Sequence, residues 1–326
     1  MNGFWLLCVT LSLGVFFMST IAGILLASIA AWIISRFDSQ DRFLGFPGLL
    51  FSIRILPFAM GAALTLGFAL PSFLLLEPKR SVEAPDAYLV VLAGLGLAGF
   101  LLFALRCARV FSQSRKSVKQ WLESADLLGS SCGIPAYKVQ SPDSLIAVAG
   151  ILRPKVFIGQ AAFARLTSEE LRAAVAHELA HVHSLDNLKQ LLLKITRVPK
   201  FLSSLSIMER AWCGAAEVLA DANALRQGVS PLELSSAIVK VGRLKAVPEK
   251  AFSAAACHLI PPDGGSSSLA IRIQHLHHAL EIDSKPREPD TSSCWAVIFL
   301  AICTAYLLML PTALPIVHRC MEWFVQ

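Results

Sequence analysis

From Phe4 to Ser35 the chain carries no charged residue, a run longer than the ~20 apolar residues a helix needs to cross a bilayer. Such a segment leaves few folding choices, because backbone polar groups in lipid must be satisfied inside a helix or a closed barrel. Three more stretches share this character: about 55–76, 87–105 and 294–317. Charged residues make up 16% of the chain, below the ~25% usual in soluble domains, so a four-span membrane protein is expected. Prolines 57, 71, 311 and 315 are placed to kink or shorten the second and fourth spans. The first run is too long, and lacks the basic leader, for a secretory signal, so it is read as a retained span.

Loop charge sets the expected orientation. "RCARVFSQSRKSVK" follows the third stretch with five bases and no acid, which places it in the cytoplasm by the positive-inside rule. The region 106–293 is then a cytoplasmic domain, the fourth span returns the chain outward, and 318–326 is a short outer tail. The protein is expected in the inner (plasma) membrane, with the bilayer as a partner. The net charge of +6 is modest, and no direct nucleic-acid binding is expected. The eight cysteines show no paired spacing that would suggest a disulfide framework.

Within 106–293, "SVKQWLESADLLGSSCGIP" reads as a helix ending near Gly129. "AYKVQ", "LIAVAG" and "PKVFIG" read as short strands, the last two joined as a hairpin. A long helix is expected from Thr167, with Glu170 completing a capping box, to the stop at Pro199. Leu171, Val175, Leu179 and Val182 form its buried stripe. A second helix holds "EVLADANAL" and stops at Gly228, and a third begins with Ser230, Pro231 and Glu233.

The chemistry lies in "AHELAHVHSLDN". His177 and His181 are four apart, so both imidazoles project from one helix face and can reach a single metal ion. Glu178, on the rim of that face, can act as a general base without taking a coordination position. A catalytic zinc takes three protein ligands, and Glu217 on the next helix is the candidate third. Asp221, one turn on, is placed to fix the tautomer of a ligand histidine. The competing reading, two solvated acids, fits poorly beside Ala216, Val218, Leu219 and Ala220.

H-E-x-x-H followed by E-x-x-x-D resembles the gluzincin metallopeptidases. Two membrane groups are especially similar: the β-lactam-sensing signal transducers (antirepressor family) and the HtpX-like and CAAX-prenyl-protease peptidases. The similarity runs from about 135 to 280, through "AGILRPKVFIGQAAFARLTSEELRAAVAHELAHVHSLDNL", "EVLADANAL" and "LAIRIQHL". The resemblance implies an α+β fold, a mainly helical zincin-like protease domain with a small sheet, set between three membrane helices before it and one after. The chain departs from the signal transducers after Val317, where a short tail is expected in place of an extracellular sensor.

By this resemblance His177, His181 and Glu217 bind one Zn²⁺ per chain, Glu178 is the catalytic base and Asp221 supports the ligands. Protein or peptide substrates would pair with "LIAVAG" as an exposed sheet edge. A cytoplasmic transcriptional repressor and damaged membrane proteins are the two substrate classes the relatives imply. His258 is a candidate oxyanion donor, and Arg272 is read instead as an ion-pair partner that binds its helix into the domain. His183 is expected to point away from the metal and Asp186 not to ligate it, although relatives often carry an acid at this spacing and the resemblance leaves a structural contact open; His275, His277 and His278 are expected to line an exposed helix face. The rivals are a non-catalytic membrane receptor or scaffold, which would not need Glu178, and a transporter, which the scarcity of charge within the spans disfavours.

Overall fold

A computed structural model describes residues 2–37, 46–78, 85–131, 133–140, 146–151, 153–197, 203–244, 256–258, 266–281 and 292–322. The chain forms two compact units, one of Met1–Ile33, Ile53–Leu105 and Arg287–Gln326, the other of Ile34–Ser52 and Arg106–Pro286.

The first unit is built from long apolar helices. These are α1 (Asn2–Phe37), α2 (Pro47–Leu64), α3 (Leu70–Leu76), the apolar part of α4 (Ala87–Glu123) and α11 (Ser292–Glu322). Three helical segments, Gly3–Ile34, Pro47–Leu76 and Ala87–Glu123, are long and apolar enough to cross a membrane. These segments suggest a membrane-associated protein. The helix α11 covers the fourth expected stretch and continues through Pro311 and Pro315; the side chains of 292–303 lie outside the described residues.

The second stretch bends rather than ends at its prolines. A π-helical turn, Thr65–Ala69, joins α2 to α3. Pro71 has no N–H to give the carbonyl of Gly67 four residues earlier. The Tyr306 hydroxyl donates to that carbonyl instead, at 2.7 Å, so a proline is accommodated in an apolar setting without an orphaned acceptor. Glycine permits close approach of α1 to α2: a Cβ on Gly23 would lie 2.7 Å from the Pro57 Cα, as small residues do between membrane helices.

The second unit holds a five-stranded sheet in the order β1-β2-β4-β3-β5. Its strands are β1 (Ala125–Ser131), β2 (Ile134–Val139), β3 (Ile146–Ala149), β4 (Lys155–Gly159) and β5 (Ala256–His258). β2 and β4 are parallel and the other pairs antiparallel. Alternation along β3 and β4 sends Ile146, Val148, Val156 and Ile158 to one core. Ala147, Ala149 and Phe157 go to another, where Val118, Trp121 and Leu122 of α4 pack. Buried on both faces, these strands read as continuous apolar runs rather than alternating ones.

Three expectations are corrected. The helix expected to reach Gly129 ends at Glu123, and 125–131 is a strand bulged between Leu127 and Gly129. Gly129 takes φ +139° there, which a residue with a Cβ rarely adopts. The strand "LIAVAG" is not a free edge, because β5 pairs with it from Ala147↔His258 to Ala149↔Ala256. A three-residue strand, Ala-Cys-His, has no periodicity to betray it. The long helix expected from Thr167 to Pro199 is two helices, α6 (Ser168–His183) and α7 (Asp186–Ile195). Between them Leu185 is left-handed at φ 55°, a conformation that costs a non-glycine residue roughly 1 kcal/mol or more.

The remaining helices are α5 (Gln160–Arg165), α8 (Ser203–Arg226), α9 (Pro231–Leu244) and α10 (Ser266–Glu281). α6 lies at the centre, against α8, α9 and β3. Its buried alanines 173, 174 and 180 favour helix and let its neighbours approach closely.

The start of α6 is fixed by the expected capping box: Thr167 accepts from the Glu170 N–H, and Glu170 accepts from the Thr167 N–H. Glu170 also takes the Ser236 hydroxyl and the Lys240 ammonium of α9, the latter at 2.6 Å. Burial raises its carboxyl pKa, but Lys240, Ser236 and the Thr167 N–H more than offset this and hold it below the ordinary glutamate value. A carboxyl depressed on folding stabilises the fold above its unfolded value, and that stability is lost as pH falls through the folded value. Glu170→Ala should therefore cost about 1–2 kcal/mol near neutrality. Its deficit in urea melts of the full chain should shrink as the medium is taken below the ordinary glutamate range.

Candidate metal centre and active site

α6 contributes three buried groups from one turn: His177, Glu178 and His181. The opposing α8 contributes Glu217 and Asp221, also buried. The two imidazoles face one another, His177 Nε2 to His181 Nε2 at 3.2 Å. Glu217 completes a triangle, its carboxylate oxygens 3.4 Å from His177 Nε2 and 3.6 Å from His181 Nε2.

These separations fit a metal ion. Tetrahedral ligands at the ~2.0–2.1 Å typical of Zn–N and Zn–O bonds lie about 3.3 Å apart, close to each observed edge. Two neutral imidazole nitrogens and a carboxylate are also the donor set that suits zinc. His177, His181 and Glu217 could together hold one metal ion, and no other such cluster occurs among the described residues.

Both imidazoles are held from behind. His177 Nδ1 lies 2.8 Å from Asp221 Oδ1, the orienting contact expected of that acid. His181 Nδ1 lies 2.8 Å from Asp186 Oδ2. Asp186 thus makes the structural contact that the resemblance leaves open and stays outside the His177, His181 and Glu217 cluster, although a continuous helix would rotate it away from His181. The left-handed turn at Leu185 breaks that helix and brings Asp186 back. His183 does point elsewhere, its Nδ1 2.8 Å from the Leu179 carbonyl.

Arg272 of α10 ties the acidic side of the site together. It donates through Nε and Nη2 to the two carboxylate oxygens of Asp221, each at 2.7 Å. Its Nη1 lies 2.9 Å from Glu217. This is the ion pair expected of Arg272, and it engages a ligand as well as the ligand's supporter. The planar guanidinium suits such a two-carboxylate contact as an ammonium would not.

Burial weighs on every charge here. It lowers the His177 pKa, but Asp221 and Glu217 outweigh it and push the imidazole up to about 9. Glu178 is pushed up to about 7, chiefly by burial, with His177 and His181 opposing. Burial also raises Asp221, yet Arg272 and His177 hold it well below the usual carboxylate range. Glu217 is likewise held low against burial by Arg272, His181 and His177. A dication between the three ligands would favour neutral imidazole and ionised carboxylate alike.

Glu178 stands beside this cluster, not within it. Its Oε2 accepts the Val148 N–H of β3 at 3.1 Å, and its Oε1 is buried without a partner among the described residues. This buried carboxyl is thus tied to the strand that borders the cluster. His258 lies on β5 next to β3, and its side chain lies outside the described residues. His275, His277 and His278 lie on α10, and all three are exposed.

A small sheet flanking a helix with H-E-x-x-H, and a following helix that adds Glu217, define a metallopeptidase type of domain. The family model for peptidase family M48 matches residues 113–237, which span β1 to β4 and α5 to α8 and include the whole His177, His181 and Glu217 cluster. That central segment is similar to the M48 metallopeptidases, and the resemblance to gluzincin membrane proteases holds. No curated protein matches the chain significantly.

Proposed function

We propose that the protein is an integral membrane zinc-dependent metalloendopeptidase that hydrolyses peptide bonds of protein substrates at the cytoplasmic membrane face. The observation that carries this reading is Glu178, a buried carboxyl adjoining a His177–His181–Glu217 triad spaced for a tetrahedral ion. A domain kept only for binding would have no use for a base beside its metal ligands.

His177, His181 and Glu217 would hold the zinc, with Asp221 and Asp186 fixing the rings of the two histidines. When bound, the ion supplies Lewis acidity toward a peptide carbonyl and lowers the pKa of water. Glu178 takes the proton from the attacking water and delivers it to the departing amine nitrogen, so that C–N cleavage releases a carboxylate and an amine. Burial suits Glu178 to both halves of that exchange, because it raises the carboxyl toward neutrality. His258 is retained as a candidate donor to the developing oxyanion.

The five bases between Arg106 and Lys119 favour a cytoplasmic active site, in an inner membrane. Two substrate classes follow from the resemblance: a cytoplasmic regulator such as a transcriptional repressor, and misfolded membrane proteins. The alternative from another class is a membrane receptor or scaffold without catalysis.

Detergent-purified protein, assayed for bound metal and casein cleavage, tests the proposal. Wild type should bind one zinc per chain and cleave casein. Glu217→Ala should retain less than a tenth as much zinc after dialysis, consistent with the roughly 10–100-fold or larger losses that follow removal of groups at a metal site. Stoichiometric zinc in that variant would remove Glu217 from the ligand set.

A further inference from the structure

We propose that Asn187 is a positioning residue that sets β3 in register with the base Glu178. The inference rests on the peptidase reading and extends it to a residue for which sequence reasoning assigned no role.

Asn187 follows Asp186 at the start of α7 and is buried at 6% exposure. Its Nδ2 donates to two carbonyls of the strand segment, Gly150 at 3.0 Å and Val148 at 3.3 Å. Carbonyls two residues apart on a strand point to the same side, so one amide spans two successive acceptors. The Val148 N–H donates to Glu178. Val148 is therefore held at its N–H by the base and at its carbonyl by Asn187.

The local backbone serves this clamp. Leu185 is the one non-glycine residue with positive φ among those described, and its turn precedes both Asp186 and Asn187. One residue then reaches ligand His181 and the next reaches the strand. Gly150 takes φ +103°, and a Cβ there would meet the Arg153 carbonyl oxygen at 2.7 Å. Only glycine fits the bend that presents the Gly150 carbonyl to Asn187.

Register explains why such a clamp matters. A slip of one residue along a strand exchanges its two faces and reverses which backbone groups point outward. β3 lies between β4 and β5, and its Val148 N–H is bonded to Glu178, so a shift of the strand carries the base away from its place beside His177 and His181. Displacement of a reacting group by about 1 Å can cost ~10²-fold in rate. Asn187 thereby couples the strand to the helix pair that carries the ligands.

The test compares full-length wild type, Asn187→Ala and Asn187→Asp, zinc-loaded in detergent. Asn187→Asp preserves shape but sets a carboxylate against two carbonyls. Both variants should keep one zinc per chain and the wild-type pH profile. Their kcat/KM should fall about 10- to 100-fold, through kcat rather than KM, because the base and not the substrate is displaced. Hydrogen exchange at 146–150 should quicken at least about tenfold, with or without zinc. Kinetic constants within twofold of wild type, or losses accompanied by zinc loss or carried by KM alone, would overturn the proposal. A wild type that binds zinc yet cleaves nothing overturns the peptidase reading and this inference together. An active wild type with unaffected variants overturns this inference alone.

Discussion

Glu178→Gln should abolish casein cleavage, lowering kcat by about 10²–10⁴-fold, the usual contribution of a positioned general base. Zinc content should be unchanged, because Glu178 lies outside the triangle formed by His177, His181 and Glu217. The substitution is nearly isosteric and keeps an oxygen to accept the Val148 N–H, so the strand should stay in place. It also removes a carboxyl that burial holds high, near 7, so the fold should not suffer and stability should hold or rise slightly. Metal analysis, urea melts and turnover on one preparation separate these effects. Equal cleavage by variant and wild type would refute Glu178 as the base.

Arg272→Met should be the most destabilising single change at the site. It leaves Asp221 and Glu217 buried without the guanidinium that contacts both. Breaking a buried ion pair from one side costs about 3–5 kcal/mol, because the stranded charge cannot be resolvated. The loss should be largest in metal-free protein. There His177, raised by Asp221 and Glu217, is the cationic neighbour that both carboxylates keep, whereas a bound dication would supply part of the missing charge. Added zinc should therefore raise the melting temperature of Arg272→Met more than that of wild type. Arg272→Lys should recover part of the stability, since an ammonium restores the charge but not the fork across Asp221. A variant as stable as wild type without metal would show that the acids find other compensation.

Leu185 separates what local sequence could reveal from what it could not. The H-E-x-x-H spacing is a property of a single helix: four residues return a side chain to the same face whatever surrounds it. His177, Glu178 and His181 were therefore legible, as was the Thr167–Glu170 box, which is settled within one turn. Helical periodicity carried past residue 183 turns Asp186 away from His181, and only the resemblance leaves open the structural contact that is found. The left-handed turn brings Asp186 to His181 of α6 and Asn187 to the β3 segment, partners that helical periodicity does not reach. Asn187 was invisible for the same reason, since its partners Val148 and Gly150 lie nearly 40 residues earlier. The strand β5 escaped because three residues of pairing are too short for a period.

The apolar runs and the i, i+4 histidines thus determined by themselves a membrane-associated chain with a metal-binding helix, because hydropathy and helical pitch act over a few turns. Tertiary structure alone decided how the site is completed. It brought Glu217 to 3.4 Å from His177 Nε2, Arg272 onto both acids, Asp186 to His181 and β5 onto β3. These contacts join residues from separate helices and strands. They exist only because burying those charges is tolerable when each has its counterpart within reach, a condition that no stretch of sequence meets alone.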